Sequence, residues 1–241
     1  MQITRFIVCE HMEKFAVIVA GGSGIRMGSS TPKQFLLLNG KPVLWHTINT
    51  FLEAYDDMQV VLVLPRQYVD TGAAMVAMTK DPGRIQITMG GETRFHSVKN
   101  GLALVPENAI VFVHDAVRCL ISASLIQRCY LQALEKGNAI PAITAVDSMR
   151  IIKAEVNEPI DRNRLRIIQT PQTFHGNIIK TAFQQQYQES FTDEASVVER
   201  KGEKIYLVEG EESNIKITRP IDLVIAEKIL EDRKFNEKSI Q

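Results

Sequence analysis

The chain has 241 residues, 45% hydrophobic and 23% charged, with 28 Lys and Arg against 28 Asp and Glu. Such a length and balance suit a soluble globular protein with a sizeable core. A net charge of zero lacks the concentrated positive field that a nucleic-acid or membrane surface needs, so any anion site must be local. The three cysteines (Cys9, Cys119, Cys129) form no C-x-x-C and read as reduced thiols of a cytoplasmic protein. The five histidines show no metal-ligand spacing. No apolar run approaches the ~18 residues of a membrane span. The segment before Met12 is too short for a cleavable signal peptide, and Met12 is itself a candidate start. One domain is expected over residues 12–236.

The first predicted strand is "FAVIVA" (15–20), which breaks into "GGSGIRMGSSTPKQ" (21–34). A helix over 42–55 places Leu44, Ile48, Phe51 and Tyr55 on one stripe, with Pro42 suited to its first turn. Further strands are read at "VVLVLP" (60–65), "RIQITM" (84–89), "AIVFVHDA" (109–116) and "AIPAITAV" (139–146). They are apolar throughout rather than alternating, as parallel strands covered on both faces require. Helices are expected over 93–105 and 122–137, the second capped by Ser122 or Ser124 and ended by Gly137. Residues 148–168 hold two strand-like pieces around a polar turn, with little apolar surface for a core, and read as a projecting arm. Then come a helix (about 176–188), "TDEASVVERKG", short strands at "KIYLVEG" and "NIKIT", and a final helix "RPIDLVIAEKILEDRK". Strands alternating with helices predict an α/β fold: a Rossmann-like, doubly wound, mostly parallel sheet with a β-arm. Ligands of such sheets sit at the carboxyl ends of the strands, where the glycine loop, "GGETR" (90–94) and "HDAVR" (114–118) fall.

The glycine loop is not a P-loop, because no Lys-Ser/Thr pair follows it. The dinucleotide fingerprint also fails: Gly22 and Gly24 match it, but Met27 stands where the third glycine belongs. Glycines alone would make only a tight turn, but Arg26 and Lys33 share the loop, with Pro32 beside the lysine.

"AGGSGIRMG…PKQF" resembles the opening signature of the nucleotidylyltransferases, in the compact form used by cytidylyltransferases of small polyol phosphates. "GGETRFHSV", "HDAVR", "DRNRL…QTPQTF", "TDEAS" and "NIKITRPIDL" extend the likeness over residues 15–222. In these segments the chain resembles the 2-C-methyl-D-erythritol 4-phosphate cytidylyltransferases of the non-mevalonate isoprenoid pathway. The ribitol-5-phosphate cytidylyltransferases share the loop, PKQ, HDA and NIKIT but differ in the arm, and remain an alternative. A non-catalytic nucleotide-binding protein on the same fold is the contrasting class; it predicts loss of Arg26, Lys33 or Lys216, and all three are present.

The resemblance implies that a phosphate monoester attacks the α-phosphate of CTP. That nucleophile is already largely dianionic at neutral pH, its second pKa being ~6, so charge neutralisation matters more than a general base. By resemblance, Arg26 and Lys33 stabilise the transition state, and Lys216 and Arg162 complete the catalytic set. Backbone groups of Ala20, Gly21, Gly22, Ser23 and Gly24 hold phosphate oxygens. Gly91, Glu92 and Ser97 read the cytosine and ribose, and Ala116 adds a further nucleotide contact. Arg118, Ser148 and Arg162 bind the polyol phosphate, Ser148 standing where the family often has threonine. Asp115 is expected to hold Mg²⁺, with His114 beside it structural. Val117 and Cys119 replace a common alanine and proline, and Ile25 replaces a frequently basic residue. A homodimer is implied in which each arm carries Arg162 into the neighbouring site.

Overall fold

The computed structural model describes residues 12–21 and 31–238, with side chains to residue 235. In chain order, β1 (Lys14–Val19) leads through the short hairpin β2 (Leu37–Leu38) and β3 (Lys41–Pro42) to α1 (Val43–Ala54). Next come β4 (Met58–Leu64), α2 (Val69–Val76), β5 (Ile85–Met89), α3 (Arg94–Leu102) and β6 (Ile110–Asp115). After α4 (Ala123–Lys136) and β7 (Asn138–Thr144), the hairpin β8 (Met149–Lys153) and β9 (Val156–Ile160) projects. The chain returns through β10 (Arg166–Ile168) and β11 (Gln172–His175). Then follow α5 (Gly176–Ala182), α6 (Glu194–Arg200), β12 (Leu207–Glu209) and α7 (Pro220–Lys238).

β1 lies parallel between β4 and β6, and β5 runs parallel outside β4. β11 inserts antiparallel between β6 and β7. β7 also pairs with β10, antiparallel, and with β12, parallel. The result is the mixed, mostly parallel sheet that the strand pattern predicts. β1 shows why its sequence is apolar throughout. Phe15, Val17 and Val19 pack into one layer beside Phe95, Val98 and Phe174. Ala16 and Ile18 pack into the other beside Leu44, Ile48 and Phe112. Burying a large apolar side chain on either face stabilises the fold by about 1.5–3 kcal/mol, so neither face tolerates the alternation of a half-wet sheet.

Several elements differ from the sequence reading. α2 lies in a stretch to which the sequence reading assigns no element, and Gly72 falls at its centre. A Cβ at Gly72 would stand 2.1 Å from Leu64 Cδ1, so the glycine lets the helix sit directly on β4. The helix expected over 176–188 stops at Ala182, where Phe183 turns in to stack on Phe95 with ring centres 4.7 Å apart. "NIKIT" is no strand: Ile217 N–H bonds to Val117 C=O (2.9 Å) in the neighbouring loop, and no ladder forms. Pro42 precedes α1 as its cap rather than entering its first turn. Ser122 caps α4, and Gly137 closes it, as read.

α7 covers a third apolar cluster. Leu223, Ala226, Ile229 and Leu230 pack with Leu38, Val43, Val117, Leu120 and Ile217. This cluster clamps together the loop after β6 and the segment around Lys216.

Candidate active site

The carboxyl ends of β1, β5 and β6 open on one cleft of about 240 Å³, lined among others by Ala20, Gly21, Lys33, Gly91, Glu92, Ser97, Ala116 and Lys216. Each wall is fixed by backbone pairing that outlasts its strand: Ala20 N–H to Val63 C=O, Gly90 N–H to Leu64 C=O, and Ala116 N–H to Val19 C=O (2.9, 2.8 and 3.1 Å). Gln34, buried in the "PKQ" turn, donates to the Ala20 carbonyl at 2.9 Å and so joins the two ends of the glycine loop. In the second wall the Ser97 hydroxyl accepts from Gly91 N–H at 3.1 Å and donates to Thr93 C=O at 3.0 Å. A Cβ on Gly91 would lie 2.4 Å from His96 Cβ, so only glycine closes this turn. Thr93 caps α3 by accepting from His96 N–H.

Asp115 ends β6 just behind the cleft lining, next to Ala116 and surrounded by cations. Its Oδ2 is 2.7 Å from Lys216 Nζ and 3.7 Å from Arg118 Nε, and its Oδ1 is 3.3 Å from Arg94 Nη2. Burial alone would raise its pKa, but Arg94, then Lys216 and Arg118, outweigh burial and hold it well below the usual carboxylate range. Arg94 in turn grips Glu194, with Nη1 on Oε1 and Nη2 on Oε2. Glu194 is 1% exposed, and burial pushes its pKa up against the pull of Arg94.

His114 is fully buried and is held neutral, its pKa pushed down to about 3 by burial. Its Nε2 faces the Arg118 carbonyl at 3.2 Å, which only accepts, so the proton sits on Nε2. Nδ1 therefore accepts from the Thr170 hydroxyl at 3.0 Å, and that oxygen accepts from Asp115 N–H at 3.1 Å. This chain of bonds fixes the backbone that carries Asp115, and supports the structural role expected of His114.

Among the described residues Asp115 is the one carboxylate paired with Lys216, and no group of three His, Cys, Asp or Glu there is suited to a metal. A single carboxylate fits a hard cation that completes its shell with phosphate oxygens and water. It does not fit an ion held by protein alone.

The structure thus gathers Ala20, Gly21, Lys33, Gly91, Glu92, Ser97, Ala116 and Lys216 around one cleft, with Asp115 paired to Lys216 behind that lining. Gly22, Ser23, Gly24 and Arg26 lie outside the described residues. Arg118 is turned inward, donating to the carbonyls of Asn214 (2.8 Å) and Ile168 (3.5 Å). Ser148 and Arg162 stand on the arm, and neither lines the cleft of its own chain. Arg162 donates to the Val146 carbonyl.

Sequence reasoning missed Arg94, Glu194 and Gln34. A signal for Arg94 existed: it is the first residue of α3, where the helix dipole disfavours a cation, so nearby carboxylates were required. "TDEAS" proves a packing device as well as a likeness. Asp193 caps α6 in a reciprocal box with Ser196 and accepts from Gln172 at 2.8 Å, leaving Glu194 aimed at Arg94.

The profile of a protein family described as 2-C-methyl-D-erythritol 4-phosphate cytidylyltransferase matches residues 14–232. A protein of that name from Bacteroides fragilis is 46% identical over 219 residues, covering 91% of this chain and 100% of the relative. One from Phocaeicola vulgatus is 44% identical over the same shares. Among solved structures, 4-diphosphocytidyl-2C-methyl-D-erythritol synthase from Anaerococcus prevotii superposes with a TM-score of 0.78 at 26% identity, covering 91% of this chain and 99% of that one.

Proposed function

The chain belongs to the 2-C-methyl-D-erythritol 4-phosphate cytidylyltransferase family, and from that premise we infer how its cleft performs the reaction. The enzyme joins CTP and 2-C-methyl-D-erythritol 4-phosphate to give 4-diphosphocytidyl-2-C-methyl-D-erythritol and pyrophosphate. An oxygen of the phosphate monoester attacks the α-phosphorus; the new P–O bond forms as the bond to the β-phosphate oxygen breaks. Both partners are anions, so the site must neutralise and align them. The observation that carries this reading is the convergence of Lys33, Lys216 and Asp115 with two backbone loops at the strand ends.

In this reading the loop of residues 20–24 cradles the triphosphate, and Arg26, Lys33 and Lys216 offset the charge that develops on the α-phosphate and the leaving pyrophosphate. Gly91, Glu92 and Ser97 form a wall of small groups and backbone that admits a pyrimidine. Lys216 is 42% exposed and borne on a flexible stem, so it can pass from Asp115 to an incoming phosphate. Asp115 would then hold Mg²⁺ brought by the nucleotide, which supplies charge neutralisation between the phosphates.

The substrate-side residues include Arg118, Ser148 and Arg162, with Arg162 supplied by the arm of a second chain in a homodimer. Support comes from the arm itself: Met149, Ile151, Ile152 and Val156 are all exposed on an otherwise unsupported hairpin. Among the described residues no helix is long and apolar enough to cross a membrane, and Cys119 and Cys129 are unpaired, which supports a cytoplasmic site of action. Pyrophosphate release tests the reading. Turnover is expected with CTP and 2-C-methyl-D-erythritol 4-phosphate and is lost in excess chelator. Equal turnover with ATP, full activity in chelator, or activity with ribitol 5-phosphate alone would overturn, respectively, the nucleotide, metal or substrate assignment.

A further inference from the structure

Arg94 and Glu194 have no part in the chemistry above, yet Arg94 lines the cleft, 32% exposed, and is paired with the enclosed Glu194 behind it. We propose that they are positioning residues that present the Asp115 carboxylate to the divalent cation carried by the triphosphate. This rests on the reading of Asp115 as a metal ligand and deepens it.

The geometry gives Arg94 two jobs. One side of its guanidinium spans both oxygens of Glu194, which comes from the first turn of α6 and is 1% exposed. Its Nε and Nη2 both point at a single oxygen of Asp115, Oδ1, at 3.4 and 3.3 Å. A planar guanidinium held on a carboxylate at one side cannot turn freely at the other. Asp115 is thereby set about its own side-chain bonds, with Oδ1 tied back and Oδ2 turned to Lys216 at 2.7 Å and, more distantly, to Arg118 at 3.7 Å. Lys216 can depart; Arg94 cannot, because Glu194 anchors it from a different helix.

Glu194 also solves an electrostatic problem. An uncompensated arginine beside Asp115 would repel the cation that Asp115 is to hold. Pairing with Glu194 offsets that charge, so the clamp orients the carboxylate without adding to the charge that Arg118 already places beside it. The partners of a metal ligand commonly matter to this extent: their loss costs about 10–100-fold in metal affinity or activity.

The test is calorimetric binding of CTP to the full chain across a Mg²⁺ titration, with thermal melts alongside. In Glu194→Gln, which leaves Arg94 charged beside Asp115, the Mg²⁺ concentration for half-maximal enhancement of CTP binding is expected to rise about tenfold or more, while CTP binding in chelator is not weakened, since the uncompensated arginine attracts the triphosphate. Breaking a buried pair from one side can unfold a protein, so a double variant, Arg94→Met with Glu194→Leu, is measured too. Replacing both partners with apolar residues is often neutral or stabilising. This variant is expected to melt near the wild type yet still need more Mg²⁺, because orientation is lost while net charge is unchanged. A folded variant of either kind with the wild-type Mg²⁺ requirement overturns the proposal, and so does unfolding of both, which makes the pair structural. If wild-type binding ignores Mg²⁺, or Asp115→Asn leaves the Mg²⁺ requirement unchanged, the metal reading itself fails instead.

Discussion

At the scale of single residues, charge placement separates catalysis from stability. Lys33 lies in a polar turn at the cleft, where a lysine contributes at most ~0–1 kcal/mol to folding. Removing a charge that stabilises a transition state costs about 10²–10³ in rate. Lys33→Ala is therefore expected to lose turnover in steady-state assays while its urea midpoint barely moves; near-normal turnover would make the lysine structural. The cysteines behave in the opposite way. Burial pushes the thiols of Cys119 and Cys129 up to about 12, against ~8.5 in an unfolded chain. A folded pKa above the unfolded value means this stabilisation is complete below pH ~8.5 and is lost as pH rises toward about 12, at up to ~1.4 kcal/mol per pH unit for each thiol. Peptide mapping after alkylation at pH 8 should find both unmodified in the native protein and both modified in urea. Urea midpoints should fall between pH 9 and 10, less steeply in Cys129→Ala. Cys9 lies outside the described residues.

At the scale of elements, α7 determines where Lys216 sits. Lys216 belongs to no strand, and its neighbour Ile217 is fully buried in the cluster under α7 with Ala226, also fully buried. Ala226→Leu overfills that contact, at a cost of about 1–3 kcal/mol. Because the displaced element carries Ile217, turnover is expected to fall further than the melting temperature alone would suggest. Parallel melts and kinetics check this, and a variant that keeps wild-type turnover at a lowered melting temperature would uncouple α7 from the site. The arm shows the opposite design. β8 and β9 pair with each other, and every residue but Ile160 is exposed. A lone two-stranded hairpin is marginal in water, so its ordering calls for something to pack against.

At the scale of the whole molecule, that something is expected to be a second copy, since two-fold homodimers are the commonest oligomers. Mixing Lys33→Ala chains with Arg162→Ala chains, each inactive alone, tests the crossing. If arms cross, one site of each mixed dimer joins an intact loop to an intact arm, and random exchange restores about a quarter of wild-type activity. If each arm folds back on its own chain, both sites stay damaged and no activity returns.

The amino-acid order alone dictates the sheet, because strands buried on both faces must be apolar throughout, as "FAVIVA", "VVLVLP" and "AIVFVHDA" are. It also determined which loops meet, because the carboxyl ends of parallel strands share one edge, and it supplied Lys33, Asp115 and Lys216 through their motifs. Tertiary structure alone decided the rest. No element is read over 69–76, and only the fold shows Gly72 set against Leu64 at the centre of α2. "NIKIT" alternates as a strand does, but a ladder requires a neighbouring edge, and its neighbour is a loop. Arg94 and Glu194 are 100 residues apart, and neither type nor spacing announces their pairing. Charges separated by that much chain find each other only when the fold encloses one of them beside the other, since an acid as enclosed as Glu194 needs a counter-charge that its own segment does not supply.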